Sequence, residues 1–127
     1  KSSGVDIDAG NQSVDRIKDG VKSTFTSNVL TGLGSFGSLY DLTPILQNYK
    51  KPVMVQSIDG VGTKTIIARK LGKFDTIGVD LLSACTNDIL VMGAKPLTFL
   101  DYIANDKLKP DIIEEIVSGM VKACRET

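Results

Sequence analysis

Apolar and polar residues alternate along two short parts of this chain, residues 53–58 and residues 97–104. A period of two is typical of a β-strand, in which successive side chains point to opposite faces. In the first part, one side carries two valines and ends on Ser57, and an Asp-Gly pair that favours a turn follows. The pattern predicts two strands here. The glycine-rich residues 29–39 are interpreted as a loop followed by a short third strand.

Other parts of the chain show the spacing of an amphipathic helix, with apolar residues three and four positions apart. The helix that follows Asn11 is expected to use that residue as its N-cap. The predicted helices cover residues 12–22, 62–71, 76–92 and a segment from Pro110 onward, with one helical turn after Pro44. These elements predict an α/β fold class, loosely α+β, in which helices pack on one face of a mixed sheet of about four strands.

Directly after the first predicted strand, the sequence reads Asp-Gly-Val-Gly-Thr-Lys. Gly60 and Gly62 would let the backbone approach a ligand closely, and Thr63 lies at a helix start, where unpaired N–H groups attract anions. Asp59 is compatible with phosphate only if Mg²⁺ lies between them, and Lys64 would supply further positive charge. An ordinary Asp-Gly turn followed by a helix cap is the alternative interpretation.

The polar face of the predicted helix 76–92 is acidic and carries no lysine or arginine. At about 100° per residue, Asp80, Asn87 and Asp88 share this face. Two carboxylates without basic neighbours repel each other unless a cation joins them. Asp88 also lies late in the helix, where the dipole disfavours negative charge. The alternative is that Asp80 only favours the positive helix start and that Asp88 is an ordinary surface residue.

Composition restricts the classes of function. The 127 residues suffice for one domain, and 15 basic residues balance 15 acidic ones, so no basic surface is expected to bind nucleic acid. No run of about 18 apolar residues predicts a membrane span. The lack of histidine excludes histidine triads and histidine metal sites within the chain. Cys85 and Cys124 lie on apolar helix faces, and we expect them to be reduced, as in a cytoplasmic protein.

The end of the polar helix carries a longer pattern that resembles a known signature. Asp88-x4-Gly-Ala-x-Pro96 is similar to the Asp-x4-Gly-Ala-x-Pro signature of the aminoimidazole ribonucleotide synthetase superfamily. Within it, the chain resembles aminoimidazole ribonucleotide synthetase, or phosphoribosylformylglycinamidine cyclo-ligase, along almost its whole length. The segments that carry this closer likeness are residues 4–11, 59–64 and 99–103.

The resemblance implies an ATP-dependent ring closure in purine biosynthesis. ATP would activate the formyl oxygen of formylglycinamidine ribonucleotide, and an amidine nitrogen would then close the imidazole with release of ADP and phosphate. The resemblance assigns Mg²⁺-nucleotide binding to Asp59 and Asp88, with Lys64, Asp80 and Asn87 beside them. It also implies a homodimer.

Enzymes of this family carry a second domain of comparable size. Residues 1–127 are therefore expected to be the N-terminal ATP-binding and dimerisation domain, with the C-terminal domain absent from this chain and no activity in isolation. Two alternatives stay open. One is a related ATP-dependent enzyme of the selenophosphate synthetase or thiamine-monophosphate kinase type, and the other is a non-catalytic dimerisation fragment. The sequence assigns no catalytic base.

Overall fold

The computed structural model describes residues 4–127, and their regular secondary structure is helical. None of the helices among these residues is long and apolar enough to cross a membrane. Five helices follow one another along the described chain: α1 (Ile7–Lys22), α2 (Thr43–Leu46), α3 (Lys64–Leu71), α4 (Asp75–Leu90) and α5 (Pro110–Glu126).

Helix α5 forms the centre of the core, between α1 and α4. Its apolar residues recur at helical spacing, so one wide stripe is buried, as the sequence predicted. Ile17 and Val21 of α1 pack against this stripe from one side, and Leu81 of α4 packs against it from the other. The buried members of the stripe are Ile113, Val117, Met120 and Val121.

Helices α4 and α5 cross at a pair of glycines that let their backbones approach closely. A Cβ atom added to Gly78 would collide with the carbonyl oxygen of Ile116, and one added to Gly119 would collide with that of Asp75. Backbone atoms cannot move aside as the end of a flexible side chain can. The two glycines therefore set the distance between the helices and hold the polar face of α4 in place on the core.

The start of α1 corrects the sequence-based prediction. The helix begins at Ile7, and its N-cap is Asp6, whose side chain accepts a hydrogen bond from the backbone of Ala9 at 3.2 Å. Asn11, the predicted cap, lies inside the helix. Both residue types cap helices well, and the earlier one extends the helix by more than a turn.

The predicted mixed sheet of about four strands is wrong for the described residues. Residues 53–58 and 97–104 belong to no strand, and the described chain contains one isolated antiparallel bridge, between Val29 and Tyr40. Helices packed on one face of a sheet are therefore also absent from residues 4–127. Instead, α1 and α4 pack against α5.

The physical reason for this difference is that neither segment has a strand to pair with among the described residues. Ile58 is 97% exposed and Tyr102 is 89% exposed, whereas Phe99 and Ile103 are partly buried against the core cluster. Alternation in the sequence determines which side chains lie on the same side of an extended segment. A β-sheet also needs a neighbouring strand that supplies backbone hydrogen-bond partners. The described chain places no such neighbour beside either segment.

Candidate functional site

The first candidate segment turns back on itself directly before α3. The backbone N–H of Gly60 donates to the Oδ1 atom of Asp59 at 2.6 Å, which fixes one carboxylate oxygen within the turn. A Cβ atom placed on Gly60 or Gly62 would meet nothing within 4 Å. The space beside both glycines is therefore open, as close approach of a ligand to the backbone requires.

Thr63 is the N-cap residue of α3, but its side chain makes no capping hydrogen bond. The hydroxyl of Thr65 instead donates to the carbonyl oxygen of Gly62 at 2.9 Å. The backbone N–H of Thr65 also donates to Gly62, and that of Ile66 donates to Thr63. The sequence placed Gly62 and Thr63 at a helix start, and the structure has them immediately before Lys64, the first residue of α3.

Two side-chain contacts tie this segment to the polar face of α4. The hydroxyl of Ser57 donates to Oδ2 of Asp88 at 2.9 Å. The ammonium group of Lys64 donates to both carboxylate oxygens of Asp80, at 2.8 and 2.7 Å. The two regions that the sequence singled out are therefore neighbours, although about thirty residues of chain separate Ser57 from Asp88.

The two contacts show that the segment runs antiparallel to α4. Residues 80 and 88 are eight positions apart, which is about 12 Å along a helix axis. The seven residue steps from Ser57 to Lys64 can span up to about 24 Å when extended. The intervening turn therefore has enough length to arch over the helix surface between its two attachment points. Asp59 lies in this turn.

The ion pair between Lys64 and Asp80 changes the charge expected for the polar face. Helix α4 has no basic residue on its polar face, but Lys64 of α3 places an ammonium group beside that face. The two side chains are 65% and 39% exposed, so water screens the pair, and it contributes about 0–1 kcal/mol to stability. Lys64 would have to exchange this partner, or share it, in order to contact a phosphate.

The carboxylates that the sequence assigned to a metal ion are exposed and chemically suitable. Asp59 and Asp88 make no ion pair among residues 4–127, and each is hydrogen-bonded through one oxygen, which leaves the other oxygen for a ligand. Within the described part of the chain, no group of three or more acidic, cysteine or histidine side chains could hold a metal ion. Two carboxylates fit Mg²⁺ that takes its remaining ligands from phosphates and water.

Asn87 is exposed and precedes Asp88 on α4. Next to the same face, α4 and α5 border an open groove of about 370 Å³ that includes Asp80, Ser83 and Lys122. Asp75 also lines this groove, and the ammonium group of Lys73, 2.9 Å away, holds the pKa of the Asp75 carboxyl below its usual range. The groove thus carries both charge signs beside the candidate site.

Sequence reasoning missed the role of Ser57 in this arrangement. A weak signal was present, because Ser57 and Asp59 are two positions apart and an extended chain places such residues on the same side. Val55 and Ser57 are partly buried and Met54, Gln56 and Ile58 are exposed, but Asp59, in the turn, is exposed as well. The partner of Ser57 could not be read from the pattern, because Asp88 is remote in sequence.

A family model described as AIR synthase related protein, N-terminal domain, matches residues 44–127. The chain belongs to this family. All eight candidate site residues, from Asp59 to Asp88, lie within the matched range of this AIR synthase related domain.

Individual relatives match the AIR synthase related chain over nearly its whole length. A phosphoribosylformylglycinamidine cyclo-ligase of Carboxydothermus hydrogenoformans is 52% identical over 126 residues, which are 99% of this chain and 36% of the relative. A protein of the same name from Brevibacillus brevis is 50% identical over 127 residues, with 100% and 36% covered. The trifunctional purine biosynthetic protein adenosine-3 of Chironomus tentans is 50% identical over 127 residues, all of this chain and 9% of that protein. The chain therefore spans about a third of the length of the cyclo-ligases that it matches.

Proposed function

We propose that this chain is the N-terminal, ATP-binding part of a phosphoribosylformylglycinamidine cyclo-ligase. The protein would convert formylglycinamidine ribonucleotide to aminoimidazole ribonucleotide, with release of ADP and phosphate, in purine biosynthesis. Identity of about 50% to proteins of that name along the whole chain supports this reaction over those of other members of the superfamily. The contact between Ser57 and Asp88 carries the structural part of the proposal, because it brings the two acidic segments together.

In this proposal, Asp59 and Asp88 would hold Mg²⁺ through the oxygens that make no hydrogen bond to the protein. The ion would neutralise the phosphates of ATP and draw electron density from the phosphoryl group that is transferred. Lys64 contacts a phosphate as a further positive charge, and Asp80 keeps its ammonium group close to the site. Asn87 supports the nucleotide from the same face of α4. The backbone of Gly60, Gly62 and Thr63 would face the phosphates, since the space beside the two glycines is open.

We further propose that the active protein is a homodimer that functions in the cytoplasm. The apolar side chains of residues 53–58 and 97–104 support association, since several of them are largely exposed. Both segments also present unpaired backbone groups, as the edge of a sheet does, and would complete a sheet with a partner copy or with the rest of the longer protein. The 127-residue chain alone is expected to show no cyclo-ligase turnover, because its relatives are about three times as long.

Titration calorimetry of the full-length protein with Mg²⁺-ATP tests the site. Asp59→Asn and Asp88→Asn each remove one charge from the proposed metal ligands while keeping the size of the side chain. We expect each to weaken binding about tenfold or more, which corresponds to about 1.4 kcal/mol or more. Asp15→Asn is the matched control, because Asp15 is an exposed carboxylate on α1. Unchanged affinity and turnover in both site variants would remove these residues from the site.

A further inference from the structure

Ser57 joins the two acidic segments of the candidate site through a side-chain hydrogen bond. It ends the extended segment 53–58, and its hydroxyl donates across to Oδ2 of Asp88 on α4 at 2.9 Å. Among the described residues, this is the side-chain hydrogen bond that joins the segment before Asp59 to the C-terminal half of α4. Lys64 and Asp80 make the corresponding contact at the other end of the turn.

The chemistry of the contact favours a role beyond joining two segments. A serine hydroxyl has one proton to donate, and here that proton is directed at one oxygen of the Asp88 carboxylate. The second oxygen is left for another ligand. An exposed aspartate side chain can otherwise rotate among several conformers, whereas Mg²⁺ requires nearly ideal octahedral geometry. A donor that fixes the carboxylate plane therefore reduces the entropy lost when the ion binds.

We infer that Ser57 is a positioning residue that holds the Asp88 carboxylate in the orientation in which it binds a divalent cation. The inference rests on the proposed function, since it takes Asp88 as a ligand of Mg²⁺. Hydrogen-bond partners of metal-binding side chains orient those ligands, and their loss typically costs about 10- to 100-fold in metal affinity. Because Ser57 itself stays outside the coordination sphere, its effect acts entirely through Asp88.

A purely structural role for the same hydrogen bond makes a different prediction. Residues 53–58 have no ladder partner in the described chain, so the contact with Asp88 could serve only to hold this segment against α4. Loss of the hydroxyl would then lower the stability of the protein and weaken nucleotide binding equally with and without Mg²⁺. Loss of a positioning group would weaken binding only when Mg²⁺ is present.

Valine and threonine at position 57 separate the two roles. Both are β-branched and have nearly the same shape, so Ser57→Thr and Ser57→Val impose a similar change on the extended segment and differ only in the hydroxyl. The full-length protein would be titrated with the non-hydrolysable analogue AMP-PNP, once with MgCl₂ and once with EDTA. The readout is the affinity measured with MgCl₂ divided by the affinity measured with EDTA. A partly unfolded sample lowers both affinities by the same factor and leaves this ratio unchanged.

We expect this ratio to fall about tenfold in Ser57→Val relative to Ser57→Thr, with equal affinities in EDTA and equal unfolding midpoints. Equal ratios in the two variants, or equal losses with and without Mg²⁺, would overturn the inference. Asp88→Asn distinguishes that result from failure of the proposed site. If Asp88→Asn lowers the ratio and Ser57→Val does not, the site stands without the role of Ser57. If Asp88→Asn leaves the ratio unchanged, the Mg²⁺ site itself is wrong and the inference fails with it.

Discussion

At the scale of single residues, Asp101 shows how the environment alters a carboxyl group. It lies between Phe99 and Ile103, whose side chains pack against the core cluster. Partial burial raises the pKa of Asp101 above its usual value, and a hydrogen bond from the backbone of Tyr102 offsets part of that rise. The side chain nevertheless remains exposed. The carboxyl group of Asp101 therefore lies in a largely solvent-facing position at the edge of the core.

The raised pKa predicts the sign of a pH effect. The folded state binds the proton of Asp101 more tightly than the unfolded state does, so the carboxyl stabilises the fold at low pH and loses this contribution as the pH rises through the folded pKa. Asp101→Asn should therefore be slightly more stable than the original protein at pH 7, by less than about 0.5 kcal/mol because the group is exposed.

Urea denaturation at pH 3 and pH 7 would measure this difference. The gain in Asp101→Asn should be larger at pH 7 than at pH 3, where the original carboxyl is protonated in both states. A gain that is larger at pH 3 would contradict the assigned cause.

The helix on which a candidate residue lies was predictable from local spacing, whereas its contacts with distant residues were not. The polar face with Asp80, Asn87 and Asp88 follows from helical spacing alone, and these residues do lie on α4. The contact of Ser57 with Asp88 and that of Lys64 with Asp80 depend on how α3 and the preceding turn lie on α4. No local pattern encodes that arrangement.

The cap of α1 gives a second test at this scale. Asp6→Ala removes the hydrogen bond from Ala9 and is expected to destabilise the protein by about 1 kcal/mol. Asp6→Asn should retain most of the stability, because asparagine caps a helix about as well as aspartate. Asn11→Ala should be neutral or slightly stabilising, since alanine is the better residue inside a helix. Thermal unfolding would rank the variants, and a larger loss in Asn11→Ala would restore Asn11 as the cap.

At the scale of elements, the crossing of α4 and α5 is the contact that tolerates least change. Gly119→Ala would place a methyl group against the carbonyl oxygen of Asp75, so the helices would have to move apart. We expect a loss of about 3 kcal/mol or more in the free energy of unfolding, at the upper end of the range for overpacked cores.

Gly10→Ala is the matched control, because Gly10 lies in α1 and an added Cβ meets nothing within 4 Å. That change should stabilise the protein by about 0.5–1 kcal/mol, since alanine restricts the unfolded chain and favours helix. Urea denaturation of both variants is the measurement. Equal midpoints for Gly119→Ala and the original protein would show that the helices are not in close contact at this position.

The helices could be predicted from sequence more reliably than the strands. The apolar spacing that predicted α3, α4 and α5 depends only on residues within each helix. The observed bounds of these helices differ from the expected ones by at most two residues. Gly72 and Gly93, both with positive φ, follow the ends of α3 and α4. Residues 53–58 and 97–104 also have the composition of strands, but a sheet depends on pairing between segments. The described chain does not supply that pairing.

At the scale of the whole molecule, residues 53–58 and 97–104 each expose several large apolar side chains. Val53 and Met54 are largely exposed in the first segment, and so are Leu100 and Tyr102 in the second. Exposed apolar side chains that are grouped along the chain in this way are expected at a contact with another part of a protein or with a partner. The relatives that span 99–100% of this chain continue over about three times its length, and can supply such contacts.

Amide hydrogen exchange can test whether the two segments pair in the longer protein. In the 127-residue chain at low concentration, residues 53–58 and 97–104 should exchange within seconds, because no backbone acceptor protects their N–H groups in the described structure. In the full-length protein, the same residues should be protected if they have become part of a sheet. Helix α5 is the internal control, since its hydrogen bonds and buried stripe should slow exchange in both proteins. Rapid exchange of both segments in the full-length protein, with α5 still protected, would contradict this expectation. It would show that residues 53–58 and 97–104 stay unpaired in the full-length protein and do not form the edge of a sheet.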